Sequence, residues 1–231
     1  MNIEVIAFDV FGTLVDWRSS ITGAFARAGE TAGLSADWAA AADAWRSRYY
    51  PAMAKVLNGE RPFQPLDVLH AEMLDEVIAE FGLEKLGRTA RTELVRAWHR
   101  LPPWPDVVPG LTALRKRHIL TPLSNGGVGL LARLAKAAGL PFDCILSAEL
   151  ARTYKPDRRV YELPAAYFDV PADQVLMVAC HPSDLDGARH AGLRTAYIPR
   201  ALEWGPSSSA PAPPDWVDLT ADDLIALAAL L

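Results

Sequence analysis

Five short apolar runs recur along the chain: IEVIAF (3–8), ILTPLS (119–124), CILS (144–147), QVLMVA (174–179) and TAYI (195–198). None shows the strict polar–apolar alternation of a half-exposed strand. Each therefore reads as a strand buried on both faces. Between them, 107–116, 127–139, 159–168 and 185–191 carry helical patterning. Strands alternating with helices dictate an α/β fold, a doubly wound parallel sheet with right-handed crossovers. In such a sheet the working residues gather at the carboxyl ends of the strands.

One interval breaks the alternation. From about residue 16 to 100 the chain reads as helix after helix: SSITGAFARAGETAG, ADWAAAADAWRSRYYPAMAKVL, PLDVLHAEMLDEVIAEFG and KLGRTARTELVRAWHR. Ala, Leu and Glu dominate, and apolar residues recur at three and four. Placed directly after the first strand, 16–100 is expected to be an all-helical cap domain over a core of 1–15 plus 101–231. PPWPDVVPG (102–110) reads as the return hinge, and GPSSSAPAPP (205–214) as an exposed loop.

Composition narrows the function classes. At 51% hydrophobic and 22% charged residues, 231 residues can bury a sizeable core. The formal charge is −5 and no Lys/Arg run stands out, which speaks against nucleic acid as a partner. No run has transmembrane length, and the first six apolar residues lack the basic flank of a signal peptide. Cys144 and Cys180 fall in no metal-ligand spacing, so reduced thiols in a cytoplasmic protein are expected.

Four polar islands each follow a predicted strand: DVFGT (9–13), SNG (124–126), YKPD (154–157) and CHPSDLDG (180–187). Asp9 is a carboxylate able to attack an electrophilic carbon or phosphorus once held and desolvated. Gly12 allows a tight turn behind it, and Thr13 can hydrogen-bond the carboxylate or nearby backbone. Lys155 supplies the charge that keeps Asp9 ionised. Ser124 and Asn125 are short polar groups suited to a substrate anion. Asp184 could accept a proton from water, or hold Lys155 in place. Singly, each island has a plainer reading as a turn, cap or loop. In order, each after a strand and with a cap inserted, they describe an active site.

At these residues the chain resembles the haloacid dehalogenase superfamily, over nearly its whole length. The resemblance implies a Rossmann-like core with the cap over its active edge. Phosphatases of that superfamily carry Asp two residues after the nucleophile and hold Mg²⁺ with two fourth-strand Asp residues four apart. Here those places hold Phe11 and Cys180. Phe11 cannot move a proton, and a thiol is a poor ligand for a hard ion. Asp186 is expected to face elsewhere or to cap a helix.

That combination resembles the L-2-haloacid dehalogenase branch, with an aromatic residue two after the nucleophile, and implies an enzyme with no metal and no cofactor. By the resemblance, Asp9 displaces halide from C2 of a short 2-haloacid with inversion, and water then hydrolyses the aspartyl ester. Its partners are the small anionic substrate and the halide, with fluoroacetate among the candidate substrates; a homodimer is common in the family. AWRSR resembles the cap motif and makes Arg46 the clamp for halide or carboxylate, with Arg48 the alternative. YKPDRRVY assigns Lys155 to the charge around the nucleophile and Tyr161 to a supporting hydrogen bond. Ser124 is expected to hold the substrate carboxylate, Asn125 to lie near the leaving halide, and Phe11 to form an apolar wall. The fourth island departs from the family pattern. His181 stands in place of Asn and Ser183 in place of an aromatic residue, so His181 is either catalytic or structural. Two other readings stay open: a phosphatase with an atypical metal site, and a non-catalytic binding protein.

Overall fold

In the computed structural model, which describes residues 1–231, the apolar runs build a wholly parallel six-stranded sheet. Its strands are β1 (Val5–Phe8), β2 (Ile119–Ser124), β3 (Leu146–Ser147), β4 (Val175–Ala179), β5 (Arg194–Tyr197) and β6 (Leu219–Thr220). They lie in the order β3-β2-β1-β4-β5-β6. The chain builds outward from β1 first to one side and then to the other, so β1 marks the switch point where such sheets bind ligands. Phe8 lies opposite Pro122 of β2 and Val178 of β4. The three strands therefore end at nearly the same level, and Asp9, Asn125 and His181 leave the sheet side by side.

All four residues of β1 are fully buried, as are all of β4. Helices cover both faces, which is why these strands are unbroken apolar runs. On the core they are α6 (Val107–Leu114), α7 (Val128–Ala138), α8 (Arg158–Tyr161), α9 (Leu163–Phe168), α10 (Pro182–His190) and α11 (Leu224–Leu230). β6 is too short to show a pattern in sequence and was not expected. The stretch 205–214 is irregular and mostly exposed, as expected.

Between β1 and β2 come α1 (Trp17–Ala32), α2 (Trp38–Ser47), α3 (Tyr49–Leu57), α4 (Leu66–Glu80) and α5 (Arg88–Ala97). Asp16 caps α1 by accepting from the Ser19 N–H at 3.0 Å, and Asp37 caps α2 through Ala40 at 2.9 Å. Two expected single helices are split. The stretch through AWRSRYYPAM breaks at Arg48, and 159–168 breaks at Glu162. Proline explains both: Pro51 and Pro164 have no N–H, and their rings clash with the carbonyl four residues back. No helix is long and apolar enough to cross a membrane.

The tryptophans do packing work. Trp17, Trp45 and Trp98 are fully buried where the inserted helices meet the sheet. Trp98 stacks on Trp17 at 6.1 Å and meets Trp45 and Phe11 edge-on at 5.5 and 5.6 Å. Each such pair adds about 0.5–1.5 kcal/mol beyond burial. Through Phe11 the loop after β1 is tied to the helical layer above it.

Candidate active site

The chain turns sharply after β1. Asp9 still donates its N–H to Val178 O at 3.0 Å, so its backbone belongs to the sheet. Gly12 has φ +89°, and a Cβ there would sit 2.2 Å from Glu203 Oε1. Only glycine fits both the backbone and the space. Trp104 Nε1 donates to Gly12 O at 2.8 Å, and Arg200 Nε to Thr13 O at 2.8 Å. Arg200 is itself held by a bidentate pair with Asp106 at 2.7 and 2.8 Å. The nucleophile loop is thus fixed at consecutive residues.

The two oxygens of Asp9 face different partners. Oδ2 accepts from the Thr13 hydroxyl at 2.8 Å and lies 3.0 Å from His181 Nδ1. Oδ1 has only Lys155 Nζ near it, at 3.6 Å. Thr13 Oγ in turn accepts the Cys180 N–H at 3.0 Å, joining the ends of β1 and β4. Lys155 donates to Asp184 Oδ2 at 2.7 Å, and the Tyr161 hydroxyl donates to Asp184 Oδ1 at 2.7 Å. Asp184 sits in the first turn of α10, where the helix terminus favours an anion. Asn125 Oδ1 accepts the Lys155 N–H at 2.7 Å and so sets the position of the lysine.

From the helical layer comes Arg46, near the end of α2 and 94% buried. Its guanidinium lies 4.2 Å over the Tyr49 ring and 5.6 Å from that of Trp17. Its Nε and Nη1 are buried without a hydrogen-bond partner. A cavity of about 220 Å³ lies between this group and Asp9, walled by Phe11, Tyr49, Tyr50, Asn125, Lys155, Tyr161, His181 and Asp184. That is room for on the order of seven waters. A larger groove of about 890 Å³ runs between α4, α5 and α7, but it contains none of the island residues.

Charge is distributed unevenly. Burial pushes the Asp9 carboxyl up, but Lys155, His181 and Thr13 together outweigh it and hold Asp9 well below the usual carboxylate range. For Asp184, burial and the charge of Asp9 win over Lys155 and Tyr161, and its carboxyl is raised. Two neighbouring acids pushed apart in this way suit different tasks, nucleophile and proton acceptor. Burial works against a charged His181, yet Cys180, Asp9 and Glu203 raise its pKa well above the usual imidazole value.

Of the residues expected from sequence, Asp9, Phe11, Arg46, Asn125, Lys155, Tyr161, His181 and Asp184 all line this one cavity. Thr13 stands just behind Asp9. Ser124 does not line the cavity: it is buried, and its Oγ accepts the Gly126 N–H at 3.2 Å. Arg48 is on the outer face, paired with Glu76 at 3.0 Å and with Glu80, so Arg46 is the arginine that reaches inward. Asp186 also faces outward, 3.0 Å from Arg189.

Two features escaped sequence reasoning. Tyr49 and Tyr50 line the cavity, and the YY pair beside AWRSR was the available signal. Glu203 had none. It follows β5 in an irregular segment, yet it is 95% buried and both its oxygens lie 3.0 Å from His181 Nε2. Trp17 Nε1 donates to its Oε1 at 3.2 Å.

The family model of haloacid dehalogenase-like hydrolases matches residues 3–192. An (S)-2-haloacid dehalogenase of Pseudomonas sp. strain YL is 32% identical over 203 residues, covering 86% of this chain and 83% of the relative. Haloacetate dehalogenase H-2 of Moraxella sp. strain B is 29% identical, over 86% and 87%. The crystal structure of the defluorinating L-2-haloacid dehalogenase Rha0230 superposes with a TM-score of 0.95 at 43% identity, covering 99% of this chain and 95% of the other. That of the L-2-haloacid dehalogenase PA0810 gives 0.93 at 43% identity, over 99% and 98%.

Proposed function

The chain belongs to the haloacid dehalogenase-like hydrolases, and on that premise we propose that it hydrolyses short 2-haloalkanoic acids to 2-hydroxy acids and halide, without a metal. One observation carries this most directly. A buried Arg46 with two unsatisfied donor atoms closes a small cavity over Asp9. The (S) and L designations of the relatives favour the L enantiomer, and the defluorinating relative places fluoroacetate among the substrates to test.

Arg46 holds the substrate anion, while segment 16–100 acts as the cap that excludes water. Asp9 Oδ1, the oxygen without a short hydrogen bond, attacks C2 from the face opposite the halogen. The C–O bond forms as the halide leaves with the bonding pair, against Phe11 and Asn125. Halide needs no proton, so an apolar Phe11 suffices where a phosphate ester would need an acid. Water then attacks Cγ of the ester and its proton passes to Asp184. Negative charge gathers on Oδ2, where the Thr13 hydroxyl and His181 Nδ1–H already point. Cleavage of the acyl bond expels the alkoxide, which takes the proton back from Asp184 and leaves as the hydroxy acid, while the second proton of the water goes to solvent and the Asp9 carboxylate is restored. A hard divalent ion does not fit the donor set, because Phe11 and Cys180 stand where oxygen ligands would be. A cytoplasmic location agrees with two free thiols.

The test is halide release from chloroacetate, L- and D-2-chloropropionate and fluoroacetate with EDTA present, for wild type and Asp9→Asn. Release that survives EDTA and is lost in the variant is expected. Silence on the panel, with Mg²⁺-dependent release of phosphate from phosphate esters, would overturn the proposal.

A further inference from the structure

Beside Asp9, the second ring nitrogen of His181 meets two buried side chains that do not line the cavity, Cys180 and Glu203. His181 Nε2 lies 3.5 Å from Cys180 Sγ and 3.0 Å from both oxygens of Glu203, and Cys180 Sγ is 3.7 Å from Glu203 Oε2. All three ligand atoms lie within 4.8 Å of one another. A tetrahedral ion bound by thiolate, imidazole and carboxylate has bond lengths of about 2.0–2.3 Å. Its ligand atoms are then separated by about 3.3–3.6 Å, from the same bond lengths and the tetrahedral angle. The observed edges bracket that range, so little movement is needed to receive an ion.

We propose that Cys180, His181 and Glu203 form a binding site for a borderline divalent cation of the Zn²⁺ class, with the fourth position left to water.

Three further observations support it. The other ring nitrogen of His181 faces the Asp9 carboxylate at 3.0 Å, and metal-bound histidines nearly always have such a partner opposite the metal. Glu203 is buried, fixed by the Trp17 N–H, and backed by a Gly12 that leaves it space. Charge also balances. Thiol, imidazolium and carboxylate sum to zero, and so do thiolate, neutral imidazole, carboxylate and M²⁺. Binding exchanges two protons, released to solvent, for one ion, and leaves no net charge buried. The thiol that makes Cys180 unsuited to Mg²⁺ suits it to this softer class. The site shares His181 with the hydrolysis, but its test reads metal binding and does not depend on that function.

Full-length, reduced, chelator-treated protein is titrated with Co²⁺ as a spectroscopic stand-in. The expected result is one equivalent bound, with intense four-coordinate visible bands and a thiolate-to-cobalt charge-transfer band, all bleached by added Zn²⁺. Even outer-shell partners change metal affinity about 10–100-fold. Cys180→Ser is therefore expected to lose the charge-transfer band and to weaken Zn²⁺ binding about a hundredfold or more. Cys144→Ser, the control thiol, keeps both. If Cys180→Ser fails to fold by circular dichroism, Glu203→Gln is the second variant, with the band retained but affinity lowered about tenfold or more. Weak octahedral spectra, or a band lost in Cys144→Ser and kept in Cys180→Ser, would overturn the site.

Discussion

Lys155 stands 2.7 Å from Asp184 Oδ2 but 3.6 Å from Asp9 Oδ1. Its ammonium is therefore hydrogen-bonded to the second carboxylate and only a near neighbour of the nucleophile. Asp9 gains the charge that keeps it ionised without a short bond that would tie up the attacking lone pair. A single cation thus serves two acids in different ways.

Lys155→Met should lower turnover about 10²–10³-fold, the range seen when one fixed electrostatic partner is removed from a site. The sign of the pH effect follows from the same contact. Lys155 lowers the Asp9 pKa, so its loss raises that pKa and moves the acid limb of the rate profile to higher pH. The check is halide release against pH for both proteins.

Glu203→Gln removes one of the groups that raise His181. A fall in kcat of about 10²-fold with little change in KM is expected, because the donor to Asp9 Oδ2 is loosened while Arg46 is untouched. In wild type the raised His181 pKa contributes stability that is complete below about pH 6.5 and is lost as pH rises through the folded value. The variant should lose less stability on the alkaline side, as read by denaturant unfolding at a series of pH values.

Arg46→Met should raise KM by about 10–10²-fold, since hydrogen bonds to charged groups are worth about 1.5–3 kcal/mol. It should also hold or raise Tm. Arg46 buries two donor atoms with no partner, and an apolar chain of similar length removes that cost. Kinetics and thermal unfolding on the same sample test both halves.

His70→Phe concerns stability alone. His70 is buried with both ring nitrogens unpartnered, stacked 4.4 Å from Trp98. Burial pushes its pKa down to about 3. Between about pH 6.5 and that value the unfolded chain binds a proton that the folded chain does not, so acid drains stability, by a few kcal/mol at most. Phenylalanine should keep the stacking and flatten the fall in Tm between neutral pH and pH 5. An equally steep fall would refute the assignment.

Sequence alone determined the alternation of buried strands and helices, the helical interval after β1 and the residues at the strand ends. These are local matters of apolar period, length and position after a strand. The aromatic Phe11 and the thiol Cys180, and hence the chemistry unsuited to phosphoryl transfer, were legible in the same way. The breaks at Arg48 and Glu162 have a signal in Pro51 and Pro164, but the apolar period of a helix runs across both. Only the tertiary structure showed that Arg46 lines the cavity and Arg48 does not, because two residues on a helix turn the side chain from the cavity to the outer face. Only it brought Glu203 to His181, across a sequence separation of 22 with no motif between them. And only it distinguished the two oxygens of Asp9, since hydrogen-bond direction is fixed by where β1, β4 and the loop before α8 come together in space.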